Sequence, residues 1–445
     1  MSARSLNRRL RVRLMLAIAA VALMTAAPGA ALPVGNAVQQ WNRIAEDTIV
    51  GSGAFQNEGL IYMAYVSAAV YDAVVAIAGG YEPYAVYIDA RPGASIDAAV
   101  AEAAYVVLRH HFPAQAAALD TLHEEALAQI ADGPAEQDGR AVGLAAGEAI
   151  LALRANDGRL TPVGVTSAFP LRPPRPGVWR LTPPAFAAPQ TPWVGSVEPF
   201  VLRQPGQFHP RPPAPVDSQR WVDQFNEIQM LGSVASAARM ADQTAVARFW
   251  TANVIRQYNL LGRELASARS LDLVQTARLL AMITVAGADA QIAVMHWKYA
   301  FLFWRPVTAI DPTAVIAEGF GPVPGFDDGN DQTLEQIGWR PLIATPNHPE
   351  YPAAHGSITS AVAQVLTEFL GTTAIDVDIH GFDASGLPGN LSATRHFETA
   401  AQLREEIVNA RLWAGVHYRA SSEAGVDLGA KVAHYDLNHA FRLAR

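Results

Sequence analysis

The chain has 445 residues, a formal net charge of −8, no cysteine, and half of its residues are hydrophobic. This composition excludes a disordered polymer, a disulfide-stapled scaffold and a zinc–thiolate module, and the length allows a large helical core or two to three domains. Only two of its 33 cations are lysines, Lys298 and Lys431, against 41 acidic residues, which argues against a nucleic-acid-binding surface.

Arg4, Arg8, Arg9, Arg11 and Arg13 precede an apolar stretch from Leu14 to Ala27, and Gly29, Ala30 and Ala31 offer small residues before Leu32. Residues 1–31 read as a secretory signal peptide, with an apolar run shorter than the ~20 residues of a membrane span. The competing reading is an uncleaved N-terminal anchor. The Arg8-Arg9 pair hints at twin-arginine export but lacks its usual context. Without residues 1–31 the balance is 28 cations against 41 anions, a net −13. The expected location is exported, periplasmic or extracellular. No later segment reads as long and apolar enough to span a bilayer.

Residues 32–157 form an N-terminal helical region, with apolar residues at helical spacing over 60–77, 96–108, 116–130 and 141–153. Breaks fall at Gly79-Gly80, Pro113 and Gly133-Pro134. The texture changes in residues 158–216, where fifteen of the 30 prolines are interleaved with Phe169, Trp179, Phe186, Trp193, Phe200 and Phe208. A polar composition would mark a flexible linker. Proline with aromatic anchors instead predicts an extended strap packed across a helical body. Residues 217–445 return to helical patterns at 219–230, 241–268, 271–304, 357–370, 399–413 and 422–441. Strand-like alternation is scarce, no repeat is found, and the predicted class is all-α.

Three pieces in the last third carry the chemistry. The first runs from Lys298 to Arg305-Pro306. On one helix, positions seven apart differ by ~20° in azimuth, so both cations are expected to point the same way, with Arg305 at the helix end before Pro306. The ordinary reading is two surface cations, but this helix is otherwise apolar and aromatic. Two such cations suit a multiply charged oxyanion. The second piece is His348-Pro-Glu-Tyr-Pro352-Ala353-Ala354-His355-Gly356-Ser357. A Pro-led helix start leaves backbone N–H groups free for an anion, and His355 in that first turn is placed to move a proton; the plain alternative is a helix entry capped by Ser357. The third is Arg411 to His417, with Gly415 permitting a turn; its plain reading is a capping Arg and a buried His. Together, three cations, an anion-ready helix start and two histidines are what an enclosed tetrahedral oxyanion requires.

Lys-x6-Arg-Pro, Pro-x-x-His and Arg-x5-His, in that order, resemble the superfamily of vanadium-dependent haloperoxidases and type-2 phosphatidic acid phosphatases over Lys298 to about Gly425. The signal peptide, helical first half and Pro-aromatic strap look like its soluble bacterial haloperoxidase-related branch. The resemblance implies a helical bundle and a vanadate, or a phosphate in the same site, held by Lys298, Arg305, Arg411 and the backbone N–H of Ala354. It implies that His355 is the acid–base residue. His417 is implied as the vanadium ligand of a peroxidase or the phosphorylated nucleophile of a phosphatase. His348 stands on the halide or substrate side, where bromide-oxidising relatives carry a His.

Three departures from the family pattern bear on this. Ala353-Ala354 replaces the usual Ser-Gly, and a lost hydroxyl costs about 1 kcal/mol or more if nothing replaces its hydrogen bond. Ala410 stands where a Ser precedes the third-motif Arg. Ser421 stands where an Asp usually follows the last His by four residues, and that Asp would hold the His tautomer. Glu423 and Asp427 are the candidates to replace it, while Ser421 or Ser422 reads as a cap of the final helix.

The leading expectation is a vanadate-dependent haloperoxidase using hydrogen peroxide and halide, with bromide or iodide favoured. The alternatives are a soluble acid phosphatase acting on phosphomonoesters and a non-catalytic phosphate or vanadate binder. No nucleic-acid partner is expected, and the sequence is compatible with an oligomer. His110-His111 point about 100° apart on a helix and do not share a metal, and Asp327-Asp328-Gly-Asn-Asp331 reads as a solvated turn rather than a calcium loop.

Overall fold

The computed structural model describes residues 32–161, 175–313, 328–382 and 391–444. The expected signal peptide, residues 162–174 of the strap with Phe169, and Asp327 lie outside the described residues. The described part is mostly helical, as the periodicity predicts.

Helices α1 (Ala37–Gly51), α2 (Gln56–Ala78), α3 (Ile96–His111), α4 (Ala116–Leu127) and α5 (Pro134–Leu153) come first. After the strap follow α6 (Gln219–Gly232), α7 (Ala241–Phe249), α8 (Val254–Ala268), α9 (Leu273–Phe301) and the short α10 (Pro306–Ile310). The chain closes with α11 (Ala354–Leu370), α12 (Ala400–Trp413) and α13 (Arg419–His439).

Two of these helices correct the membrane expectation. α2 and α9 are long and apolar enough to cross a bilayer, yet both are largely buried inside the helical body. A helix that is apolar all round can be buried by other helices as well as by lipid. α9 packs against α2, α8, α11 and α13 and forms the spine on which the two halves of the sequence meet.

The strap is fastened to this spine. Trp179 is fully buried, and its backbone N–H donates to Leu302 O just past the end of α9. Trp297 Nε1 and Tyr299 Oη of α9 donate to the carbonyls of Phe208 and Gln190. The consecutive N–H groups of Phe200, Val201 and Leu202 converge on Asp289 of the same helix at 2.6–3.0 Å. Gly195 lies so close that an added Cβ would sit 2.5 Å from the backbone N of His296.

Two stretches differ from the expected pattern. The single run expected over 241–268 breaks after Phe249, because Asn253 caps α8 through Ile255 N–H. An antiparallel hairpin, β1 (Ala374–Phe382) and β2 (Leu391–Thr399), joins α11 to α12. Its signal was short but present: Ile375, Val377 and Ile379 face the core while Asp376 and Asp378 are exposed.

The crossing of α11 with α13 sets the site's geometry. A Cβ on Gly429 would lie 1.9 Å from Ser357 O, so the helices meet backbone to backbone. Gly429→Ala is expected to lower unfolding stability by about 1–3 kcal/mol through overpacking, read as a lower urea midpoint. An unchanged midpoint would mean the helices can separate freely.

Asp436 on α13 is fully buried, and neither carboxylate oxygen has a partner among the described residues. Burial, then repulsion from Asp289, holds its carboxyl well above the usual range. The folded state thus keeps a proton that the unfolded chain releases above about pH 3.9, so this cost is absent near pH 4 and grows as pH rises. Asp436→Asn is expected to raise Tm at pH 7.5 and leave it unchanged at pH 4. An equal gain at both values would rule out the carboxyl as its source.

Candidate functional site

Local sequence turns each motif toward one place. α9 ends at Phe301 because Leu302 adopts a left-handed conformation (φ 51°). Pro306 starts α10, and Arg305 before it is extended (φ −83°, ψ 152°). Arg305 is therefore not on the helix of Lys298, contrary to the expectation of one helix face carrying both. The turn at Leu302, rather than helical phase, brings the two cations into range of each other.

The loop before α11 lies across both cations. Lys298 Nζ donates to the carbonyls of Pro349 and Glu350, each at 2.9 Å. Arg305 Nε donates to His348 O at 2.9 Å, and its Nη2 is 3.0 Å from His348 Nδ1. The same Nδ1 also lies 3.1 Å from Pro349 O, so it faces a donor and an acceptor at once. His348 is thus a buried member of the site rather than a surface-loop residue.

The third motif closes the ring. Gly415 takes φ 78°, and the chain turns out of α12 toward His417. Arg305 Nη1 donates to Val416 O at 2.8 Å and faces His417 Nε2 at 3.3 Å. Arg411, in the last turn of α12, donates through Nη1 to Trp250 O, the carbonyl exposed by the break between α7 and α8. Its Nε is buried with no partner among the described residues. α11 starts at Ala354, so His355 lies in the first turn as expected; its Nε2 is likewise sealed and unpartnered. Lys298, Arg305 and Arg411 all act electrostatically on His355 and on His417.

One residue here was not among the candidates. Glu350 is fully buried, and its Oε1 accepts from His417 Nδ1 at 2.9 Å and from Tyr418 N–H at 3.1 Å. An acid between two prolines beside the second motif was the available signal, but no spacing ties it to a His 67 residues later. Glu423 and Asp427 do not take this place: both are exposed on α13, where Asp427 pairs with Lys431 at 2.6 Å. Neither Ser421 nor Ser422 caps the last helix, which starts earlier, at Arg419. Ser421 Oγ instead donates to Glu350 O at 3.3 Å. Ser357 does not cap α11 either; its Oγ donates to Ala290 O.

The electrostatics are those of a buried cluster short of negative charge. Burial pushes Arg305 down to about 10, and burial with repulsion from Arg305 pushes Arg411 down to about 9. Lys298 is driven well below its ordinary value by burial and by Arg305. His348, His355 and His417 are held neutral by burial and by the cations around them. Burial raises Glu350 to about 7, although Lys298 and Arg305 pull it down. Three buried cations thus face a single carboxyl, an imbalance that a bound anion relieves. Among the described residues no three His, Asp or Glu side chains gather as a metal-cation site. The donors present, with sealed Arg411 Nε and His355 Nε2, suit a tetrahedral oxyanion such as vanadate or phosphate.

Residues 278–445 match the family described as VCPO second helical-bundle domain. The chain is 27% identical over 245 residues to the vanadium chloroperoxidase of Curvularia inaequalis, a match covering 43% of this chain and 38% of that protein. Its fold is similar to the crystal structure of a bacterial vanadium-dependent iodoperoxidase, with a TM-score of 0.73 at 22% identity over 93% of this chain and 99% of the other. It is also similar to a holo-type bacterial vanadium-dependent chloroperoxidase, with a TM-score of 0.64 at 18% identity over 89% and 92% of the two chains. The segment that matches this family model carries all three motifs, and the chain as a whole is similar in fold to vanadium-dependent haloperoxidases.

Proposed function

We propose that this protein is a vanadate-dependent haloperoxidase that oxidises bromide or iodide with hydrogen peroxide. The observation that carries the reading is that three buried cations act on His417, Arg305 at 3.3 Å from its Nε2, with one carboxyl to balance them. Lys298, Arg305 and Arg411 would hold the oxyanion by charge, and the Ala354 N–H at the start of α11 would add a hydrogen bond. His417 would be the vanadium ligand through Nε2. Bound vanadate would supply the Lewis-acidic centre at which peroxide is activated. His355, neutral and beside the cations, would take and return the proton. His348, hydrogen-bonded to Arg305, would stand on the halide side, and the iodoperoxidase neighbour supports the halide preference.

A second reading is supported by Glu350. A carboxylate on His417 Nδ1 is what a phosphohistidine mechanism needs, with His417 attacking a phosphomonoester and His355 protonating the leaving alcohol. The basic, then apolar, then small-residue order of residues 1–31 supports a further proposal, export to the periplasm or outside the cell.

The test is to assay the purified protein with and without orthovanadate, for peroxide-dependent bromide and iodide oxidation and for hydrolysis of a generic phosphomonoester. Halide oxidation that appears only with vanadate is expected. Ester turnover with background halide oxidation would hand the site to the phosphatase reading. Anion binding with neither activity would leave a binder.

A further inference from the structure

The family pattern places an Asp four residues after the last motif His, and this chain has Ser421 there. Such a loss should leave the imidazole free to flip and to exchange its proton between the two nitrogens. The structure contains a replacement from another part of the fold. Glu350 approaches His417 from the loop that enters α11, not from the turn into α13.

We infer that Glu350 is the positioning residue of His417, holding the proton on Nδ1 so that the bare Nε2 faces Arg305. The inference rests on the reading of His417 as the vanadium ligand or nucleophile. Three sets of contacts carry it. Glu350 Oε1 already accepts from Tyr418 N–H, and its 2.9 Å contact with His417 Nδ1 places a second donor, the Nδ1 proton, on the same oxygen. On the other side of the ring Arg305 only donates, so its 3.3 Å approach assigns Nε2 as the acceptor. Both neighbours therefore select the same tautomer. Glu350 is itself immobilised: Tyr418 N–H donates to its Oε1, its own N–H donates to Phe303 O, and its carbonyl accepts from Lys298 Nζ and Ser421 Oγ. Ser421, at the vacated Asp position, now buttresses the backbone of the acid that replaced it.

This arrangement joins two motifs through one residue. The backbone of Glu350 is held by the cation of the first motif, and its side chain orients the histidine of the third. A shift of the loop would therefore move the anion-binding charge and the ligand nitrogen together. A carboxylate on α13 would orient the histidine without that link to Lys298.

The test uses the full chain without any bound anion. Histidine 15N spectra at pH 7.5, with His417 assigned by its disappearance in His417→Gln, are expected to show Nδ1 protonated and Nε2 bare. Glu350→Gln is expected to shift this signal toward a tautomer mixture and to weaken orthovanadate binding, read by calorimetry, about 10- to 100-fold. A native His417 protonated on Nε2 overturns the inference, even if Glu350→Gln does not fold. An unchanged tautomer and unchanged affinity in Glu350→Gln overturn it as well. If the native protein bound neither vanadate nor phosphate, the oxyanion reading would fall, while the spectra would still decide the role of Glu350.

Discussion

Replacing Lys298 by Met is expected to reduce vanadate-dependent halide oxidation at least about 100-fold while leaving the far-UV circular dichroism unchanged. The side chain is fully buried and its Nζ–H groups bond two loop carbonyls, so the substitution acts in two ways. It removes one of the three buried cations proposed to hold the anion, and removal of one preorganised donor typically costs 10²–10³ in turnover. It also releases the Pro349 and Glu350 carbonyls, loosening the loop that carries the partner of His417. Met keeps the length and apolar stem of Lys, which limits repacking inside α9. Stabilisation by the anion reports the same loss without turnover: saturating vanadate at about 100 times Kd adds ~2.7 kcal/mol to the native protein, and this gain should largely vanish in Lys298→Met. Full activity in Lys298→Met would mean that the oxyanion site has been misplaced.

His417→Ala is expected to bring both halide oxidation and phosphomonoester hydrolysis to background. Both readings of the site use the same Nε2, one as a ligand and one as a nucleophile, so this single substitution removes either activity. The cavity left behind is polar, and the Glu350 carboxyl inside it loses its imidazole partner while keeping the Tyr418 N–H. Oxyanion binding is expected to weaken but persist through the three cations, which separates the loss of the ligand from loss of the site. Measurable peroxidase activity in His417→Ala would exclude this histidine as the essential ligand.

Much of the helical architecture was readable because helices bury one face at a fixed period, and that period is local. α2, α3, α6 and α12 lie close to their predicted spans, as does most of α9. The split between α7 and α8 was missed because the apolar spacing continues through the break, whereas the Asn253 cap depends on one side chain. The hairpin was missed because its alternation covers only a few residues. α2 and α9 show the limit of composition most plainly. Length and apolarity describe what a helix needs to bury, and only its neighbours decide whether protein or lipid buries it.

The candidate site divides along the same line. Lys298, Arg305, His355, Arg411 and His417 could be named from residue type, order and spacing, and the rarity of lysine made Lys298 stand out. The fold brings all five together with His348. It assigns Lys431, the other lysine, to a surface pair with Asp427. Sequence spacing did not disclose that a chain turn at Leu302, not a shared helix face, aligns the first two cations. Nor did it disclose the acid that reaches His417.

The sequence by itself determined which charged and titratable groups the protein could bring to an anion, and that the helices carrying them must be buried. Only the tertiary structure decided which carboxyl meets His417 and how poorly the cations are compensated. The physical reason is that helical periodicity comes from local backbone geometry, whereas charge balance and tautomer come from atoms a few ångströms apart in space and tens of residues apart in the chain.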